Sequence, residues 1–282
     1  MIIFRQNQAL LSYLKKEKNN GKRVGFVPTM GALHAGHLEL VNQAAKSCDL
    51  VVVSIYVNPT QFNQQEDFEK YPITPTADID ALLKSKCAVL FTPSTQEIYP
   101  NGIENLPFYN LGALETILEG THRPGHFQGV CAVVERLLRI VEPNELFLGQ
   151  KDLQQCCIIQ RLLDLKPDIQ VKLTTLPTVR EESGLALSSR NKRLSNEGKK
   201  KASILFQALQ NVGTGIQHGD LETIIEQQKQ LIQANGFDSI DYLQVTDLYT
   251  LEPISVWENK PVAILVAATV EGVRLIDNII IH

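Results

Sequence analysis

The chain has 282 residues, 44% of them hydrophobic and 21% charged, and a formal net charge of −4. This is the composition of a globular protein with enough chain for one large or two medium domains, and two are expected. It excludes a broadly basic nucleic-acid surface but leaves room for a locally basic pocket that takes a polyanion.

A first short helix follows Asn7, a candidate cap, and carries Leu10, Leu11 and Leu14. Arg23 to Val27 reads as a buried strand that Pro28, Gly31 and Gly36 break, after which Leu38, Val41 and Ala45 recur at helical spacing. Leu50 to Val57 is a nearly continuous apolar run, the pattern of a strand buried on both faces of a parallel sheet. A polar stretch reaches Tyr71 and Pro72, a helix opens at Thr76 with Ile79, Leu82 and Leu83, and Ala88 to Phe91 is a short strand. From Pro93 to Gly125 the pattern is mostly loop with a short helix near Leu114. Helical spacing returns at Val130, Val133, Val134, Leu137, Leu138 and Val141, and Pro143 ends it. Leu146 to Leu148 is a strand, Leu153 to Leu165 a helix and Val171 to Leu176 a strand.

Alternating strands and helices predict an α/β, Rossmann-like parallel sheet with helices on both faces over 1–177. Its ligand belongs at the carboxyl ends of the strands. Beyond Pro177 the alternation stops, and 178–282 reads as a smaller α+β domain: helices near Glu197 to Val212 and Leu221 to Asn235, then strands Tyr242 to Val245, Val262 to Val270 and Val273 to Ile281. The pattern Gly213-x-Gly215-x-x-x-Gly219 joins two helices, follows no strand and does not match a dinucleotide fingerprint. The five cysteines, at 48, 87, 131, 156 and 157, show no metal-ligand spacing and lie in or beside apolar segments. Small buried hydrophobes in a reducing, cytoplasmic setting are expected. There is neither a signal-peptide pattern nor a run of roughly 18 apolar residues that would cross a bilayer.

Chemistry concentrates at the strand ends. His34 and His37 stand three apart where a strand enters a helix, within Met30-Gly31-Ala32-Leu33-His34-Ala35-Gly36-His37. There they share the helix start with its unbonded N–H groups and the positive end of its dipole, a ready anion site. A lone histidine is most often a surface or satisfied core residue; two in a Gly-bearing turn after a buried strand outweigh that reading. Asn58, Gln61 and Phe62 follow the next strand, neutral polar groups beside an aromatic that suit a small polar acid. Gly149, Gln150, Lys151 and Asp152, with Gln155 on the next helical turn, place a lysine near a helix start, a natural phosphate contact. Between the domains, Val179, Leu187, Ser188, Ser189 and Arg190 belong to a polar stretch whose two hydroxyls and guanidinium suit a phosphate tail closing from a mobile loop. His126 is assigned a shaping role at a loop and the start of a helix.

The segments at 28–37 (PTMGALHAGH), 57–62 (VNPTQF), 123–130 (RPGHFQGV), 149–155 (GQKDLQQ) and 184–191 (GLALSSRN) together resemble pantothenate synthetase, the pantoate beta-alanine ligase family. The resemblance is collinear and covers nearly the whole chain. The His34 and His37 pair alone points to the wider nucleotidyltransferase superfamily; Gln61 and the Lys151 to Gln155 block narrow it. The resemblance implies an ATP- and pantoate-binding domain over 1–177, a C-terminal domain that closes over the active site, and a two-step reaction. Pantoate's carboxylate attacks the α-phosphate of ATP and expels pyrophosphate, and beta-alanine then attacks the pantoyl adenylate and releases AMP. It further implies that His37 donates a proton and that His34, Lys151 and Arg190 share the triphosphate. Gln61 and Gln155 hold pantoate, and Met30 to His37, Gly149 to Asp152, Val179 and Leu187 to Arg190 contact ATP. Mg2+ accompanies ATP, with Asp78 a candidate carboxylate ligand, and the family is usually homodimeric, with no nucleic acid or membrane partner. The chain departs from the family pattern at Tyr56, Ile73 and Ser183. Two other readings compete: an adenylyltransferase acting on another small acid or phosphate acceptor, and a nucleotide-binding regulator without catalysis.

Overall fold

The computed structural model describes residues 1–62, 68–69, 71–217 and 220–282. Part of the polar stretch after Phe62 and Gly219 of the glycine pattern lie outside the described residues. The chain divides into two compact units, Met1–Gly149 with Gln155–Leu176, and Gln150–Gln154 with Pro177–His282. Five residues that follow the fifth strand, Gln150–Gln154, group with the carboxyl-terminal unit. Hydrogen bonds from Asn278, described below, account for it.

The first unit holds six parallel strands: β1 (Ile2–Phe4), β2 (Val24–Thr29), β3 (Leu50–Ile55), β4 (Val89–Phe91), β5 (Glu145–Gly149) and β6 (Lys172–Leu176), in the order β1-β4-β3-β2-β5-β6. Its longer helices are α1 (Asn7–Asn19), α2 (Ala35–Ser47), α3 (Pro75–Leu83), α4 (His126–Val141) and α5 (Leu153–Leu165). Successive strand residues feed opposite faces. Phe26, Val52, Phe91 and Leu146 pack with Leu10, Leu14, Leu138 and Ile159 on one side, whereas Val27, Val51, Val53, Leu90 and Phe147 pack with Val41, Ala44 and Leu82 on the other. Strands buried on both faces are therefore near-continuously apolar. β1 escaped the sequence reading because three residues carry no measurable period; pairing with β4 supports it. Asn7 is not the cap of α1 but its first residue, and the Glu97 carboxylate takes the Asn7 N–H from across the fold at 2.8 Å.

The chain winds outward in one direction from β2 to β3 and β4, and in the other to β5 and β6, so the topological switch point lies between β2 and β5. These two strands share only two paired positions, Gly25 with Glu145 and Phe26 with Leu146, while β2 and β3 pair over all six. Pro28 explains the early end of that ladder. It lies inside β2 rather than after it. Val24 O bonds toward β5 through the Asn144 N–H and Thr29 O bonds toward β3 through the Tyr56 N–H. By strand alternation the missing N–H of Pro28 falls on the β5 side. The carboxyl halves of β2 and β5 thus lack ladder bonds to each other at the place where an α/β sheet takes its ligand.

The second unit is built on three antiparallel strands, β7 (Ser239–Asp247), β8 (Val262–Val270) and β9 (Val273–Ile281), with β8 central. Helices α6 (Asn196–Ala202), α7 (Ile204–Gly215) and α8 (Leu221–Ala234) complete it, and Leu205, Leu209, Val212, Ile232, Leu243, Ile264 and Val266 share one core. The single helix expected over Glu197 to Val212 is two, offset at Ser203, whose hydroxyl bonds back to Lys200 O at 2.7 Å. Such back-bonding from serine bends helices. Among the described residues, no helix is long and apolar enough to cross a membrane.

Candidate active site

In the first unit the turn after β2 brings Gly31 (φ +82°) and then Ala32 (φ +49°) into the left-handed region. Alanine rarely adopts it, and the strain is offset by Asp78 of α3. One carboxylate oxygen of Asp78 accepts the Ala32 N–H at 3.0 Å, and the other accepts the Leu33 N–H at 2.8 Å and the Thr74 hydroxyl at 3.2 Å. Asp78 is 3% exposed. Its oxygens therefore serve the backbone of this turn as a clamp. The N–H groups of Ala32 and Leu33 are directed at that carboxylate, so a ligand here meets other atoms of these two residues.

The clamped turn delivers His34 to the N-cap of α2 and His37 to its third helical position. His37 Nδ1 accepts the His34 N–H at 3.3 Å, the His37 N–H bonds the His34 carbonyl at 2.9 Å, and the ring centroids stand 4.0 Å apart. A ring nitrogen that accepts carries no proton. This contact assigns the ring hydrogen of His37 to Nε2, a donor. Ala35 and Gly36 begin α2, and first-turn N–H groups have no helical carbonyl to bond.

Gln61, 8% exposed, closes the turn Pro59–Gln61 after β3. Its amide orientation follows from fixed backbone groups. The Thr60 N–H points at Asn58 Oδ1 (3.4 Å) and the Gly129 carbonyl accepts from Asn58 Nδ2 (3.2 Å), so Asn58 can turn only one way. Asn58 Nδ2 then donates to Gln61 Oε1 at 3.2 Å, and Gln61 Nε2 donates to the Met30 sulfur at 2.8 Å. Gln61 thus presents its NH2 side, the donor a carboxylate or hydroxyl acceptor needs. The Tyr99 hydroxyl donates to Asn58 Oδ1 at 3.0 Å, and burial pushes that phenol up to about 12, keeping it a neutral donor. Gly129 of α4 makes room for the arrangement, because a Cβ there would lie 2.1 Å from Thr60 O.

His126 begins α4 and has a definite task. Its Nδ1 lies 2.7 Å from Gln61 O, an acceptor, so Nδ1 carries the hydrogen and Nε2 accepts from Arg123 at 3.1 Å. Phe62 packs edge-on against Phe68 and Tyr71, with centroids at 5.3 and 5.8 Å. Gly149 ends β5 and Gln155, half-buried, lies in the first turn of α5. Ile73 is 75% exposed, and Tyr56 is buried with its hydroxyl 3.3 Å from Thr95 Oγ1.

In the second unit Gln150–Asp152 forms one 3-10 turn. Asn278 of β9 donates to the carbonyls of both Gln150 and Lys151 at 2.9 Å, and Gln150 Nε2 donates back to Asn278 Oδ1 at 3.1 Å. Lys151 Nζ stands 3.5 Å from the carboxylate of the half-exposed Asp152. The polar stretch after Pro177 is an ordered hairpin. The Leu187 N–H meets Val179 O, Arg180 pairs with Ala186, the Glu181 N–H meets Leu185 O, and Gly184 turns the chain at φ +90°. Ser183 accepts the Leu185 N–H at 3.4 Å, the local turn bond an aspartate also makes, which accounts for the tolerated departure. Arg180 grips Asp277 through two bonds of 2.6 and 2.9 Å and lies 3.8 Å over the Phe206 ring. The hairpin leads into Ser189–Arg193, where Ser188 caps the Arg190 N–H at 3.2 Å, and Asn191 donates to Ala186 O.

The first unit thus assembles Met30, His34, His37, Gln61 and their supports at adjacent strand ends, and the second assembles Gln150, Lys151 and the Val179–Arg190 hairpin on β9. The sequence reading missed the work of Asp78, Tyr99, Gly129, Arg180, Asp277 and Asn278. Gly129 stood within a quoted segment; for the last two no local signal existed.

Comparison with known proteins matches the family model for pantoate-beta-alanine ligase over residues 2–280. The pantothenate synthetase of Cytophaga hutchinsonii is 42% identical over 284 residues, spanning 100% of this chain and 99% of the relative. That of Christiangramia forsetii is 40% identical with both chains fully covered. Among solved structures, pantothenate synthetase from Thermus thermophilus superposes with a TM-score of 0.91 at 38% identity, covering 99% of each chain. The Francisella tularensis pantoate-beta-alanine ligase, complexed with beta-gamma ATP and beta-alanine, gives 0.83 at 37% identity, covering 99% of this chain and 97% of that one.

Proposed function

This chain belongs to the pantoate-beta-alanine ligase family, and we propose how its residues divide the ATP-dependent condensation of pantoate with beta-alanine. In the first step a pantoate carboxylate oxygen attacks the α-phosphorus of ATP, the bond to the bridging oxygen breaks, and pyrophosphate leaves. In the second, the beta-alanine nitrogen attacks the acyl carbon of pantoyl adenylate, the bond to AMP breaks, and the nitrogen loses a proton to give pantothenate.

A carboxylate is ionised near neutral pH, so the first step needs no general base and rests on placement and charge. Gln61, with Gln155, holds pantoate; His37 directs its Nε2–H as a hydrogen-bond donor at a phosphate oxygen, with His34 and the start of α2 beside it. Lys151, Ser188, Ser189 and Arg190 take the charge of the triphosphate, and Met30 to Gly36, Gly149, Gln150, Asp152, Val179 and Leu187 frame the nucleotide. The observation that carries this reading over a general adenylyltransferase is the amide of Gln61. Its orientation is locked by Asn58, and its NH2 group, which also reaches the Met30 sulfur, is a donor suited to a small hydroxy acid rather than to a phosphate-bearing acceptor.

Magnesium fits as a companion of the nucleotide. Among the described residues no group of three or more His, Cys, Asp or Glu side chains is placed to hold a metal, and the Asp78 oxygens are engaged by backbone. Mg2+ keeps several waters and is held largely through the phosphates of the nucleotide. The bound ion supplies charge neutralisation on the phosphates.

The test is incubation with ATP, pantoate and beta-alanine, following AMP, pyrophosphate and pantothenate. Equimolar AMP and pantothenate are expected. Accumulation of a nucleotide-linked product that beta-alanine does not consume would instead favour the adenylyltransferase reading.

A further inference from the structure

β9 lies far in sequence from Gln150–Asp152 and from the Val179–Arg190 hairpin, yet two of its consecutive residues hold both segments. Asn278, 2% exposed, has its amide fully committed: both bonds from Nδ2 go to successive carbonyls, those of Gln150 and Lys151, and Oδ1 accepts from Gln150. Two successive carbonyls aimed at one amide leave the backbone of a single 3-10 turn little freedom. The Lys151 side chain is mostly buried, so the point from which its ammonium projects is set by that backbone.

Asp277 does the corresponding work for the hairpin. Its carboxylate takes both nitrogens of the Arg180 fork, and the same guanidinium donates to Gly184 O at 3.0 Å and Asn278 O at 3.2 Å. One side chain thereby ties the tip of the hairpin to the sheet. The pairing of Arg180 with Ala186 and of Leu187 with Val179 carries that anchorage to the residue preceding Ser188.

We propose that Asp277 and Asn278 are positioning residues for the first chemical step, Asn278 aiming Lys151 and Asp277, through Arg180, setting the Ser188–Arg190 segment. This rests on the reading of Lys151 and Arg190 as phosphate ligands.

The test separates the two half-reactions in the full chain. Pantoate-dependent ATP–pyrophosphate exchange reports adenylate formation. Aminolysis of supplied pantoyl adenylate by beta-alanine reports the second step, in which the β- and γ-phosphates take no part. For Asn278→Ala, exchange is expected to fall on the order of 100-fold, the cost of a misplacement of about 1 Å. Aminolysis is expected to change less than about threefold, well short of the tenfold that 1.4 kcal/mol represents, and the melting temperature by less than about 4 °C. Asn278→Ser carries the same test where the alanine variant fails to fold. Asp277→Asn is expected to raise the KM for ATP about tenfold, as loss of one charge-assisted pairing does, and to leave the KM for pantoate unchanged.

Equal losses in both half-reactions together with a lowered melting temperature would assign Asn278 a merely structural role and overturn the proposal. So would exchange that persists in the Asn278 variants while Lys151→Ala abolishes it. Lys151→Ala with undiminished exchange would overturn the reading of Lys151 itself and the proposal with it.

Discussion

The two units hold their functional residues in different ways. In the first unit each functional side chain stands at the end of the strand that delivers it, and its supports come from neighbouring elements of the same sheet: Asp78 for the turn before His34, and Asn58, Tyr99 and His126 for Gln61. In the second unit Lys151 and the Ser188–Arg190 segment stand on short turns, and the last strand of the chain fixes them through side chains. Residues at strand ends inherit their geometry from the sheet, whereas residues on turns need a separate anchor. Lesions in the first unit should therefore sort into pantoate-directed and ATP-directed defects according to which strand end they touch. Lesions on β9 should act on ATP alone.

The largest effect expected in the first unit is that of Gly129→Ala. Its new Cβ would meet Thr60 O at 2.1 Å, so the turn bearing Gln61 must move. Pantoate KM should rise on the order of 100-fold and stability fall by about 1–3 kcal/mol, the usual cost of overpacking. Steady-state kinetics with calorimetry would decide it; a normal pantoate KM would break the link between α4 and Gln61. Next comes Gln61→Ala, which removes one hydrogen bond to a charged substrate, about 1.5–3 kcal/mol, and so should raise pantoate KM roughly 10- to 150-fold while ATP KM holds. Should both constants rise together, pantoate and ATP recognition are not separable at these strand ends.

Asp78→Asn gives a smaller, ATP-directed defect. An amide can accept only one of the two backbone N–H groups, leaving the other unmet at about 1–3 kcal/mol. A lower melting temperature and a raised ATP KM with unchanged pantoate KM are expected, and a rise in pantoate KM instead would place the clamp's influence elsewhere.

The smallest effect is on acid stability. Burial opposes ionisation of Glu135, but the Tyr109 hydroxyl at 2.7 Å, Arg139 and Lys166 overcome it and hold the carboxyl below the ordinary glutamate range. A depressed folded-state pKa contributes stability that is full above the unfolded value of about 4.3 and is lost as pH falls through the lower folded value. Melting curves below that pH should steepen for the wild type and flatten for Glu135→Gln. Identical acid limbs would remove Glu135 from the account.

Much of this protein was legible before any coordinates. The strand-to-helix junction at Val27–His37, the double burial of Leu50–Ile55 and the change of architecture after Pro177 all follow from periodicity, which is a property of neighbouring residues. The sequence by itself determined which residue types stand at the strand ends, and the collinear segments determined the family. Tertiary structure decided what each of those residues can do. It placed the gap in the β2–β5 ladder beside Pro28 and put the hydrogen of His37 on Nε2. Through Asn58 it fixed the orientation of the Gln61 amide, and it made Asp78 the clamp of a strained turn. The reason is distance along the chain. Asp78 serves a turn 46 residues away, and Asn278 reaches across 128 residues to Gln150. A hydrogen bond closes over a few ångströms whatever the separation in sequence, so the groups that aim a candidate site residue leave no local pattern to read.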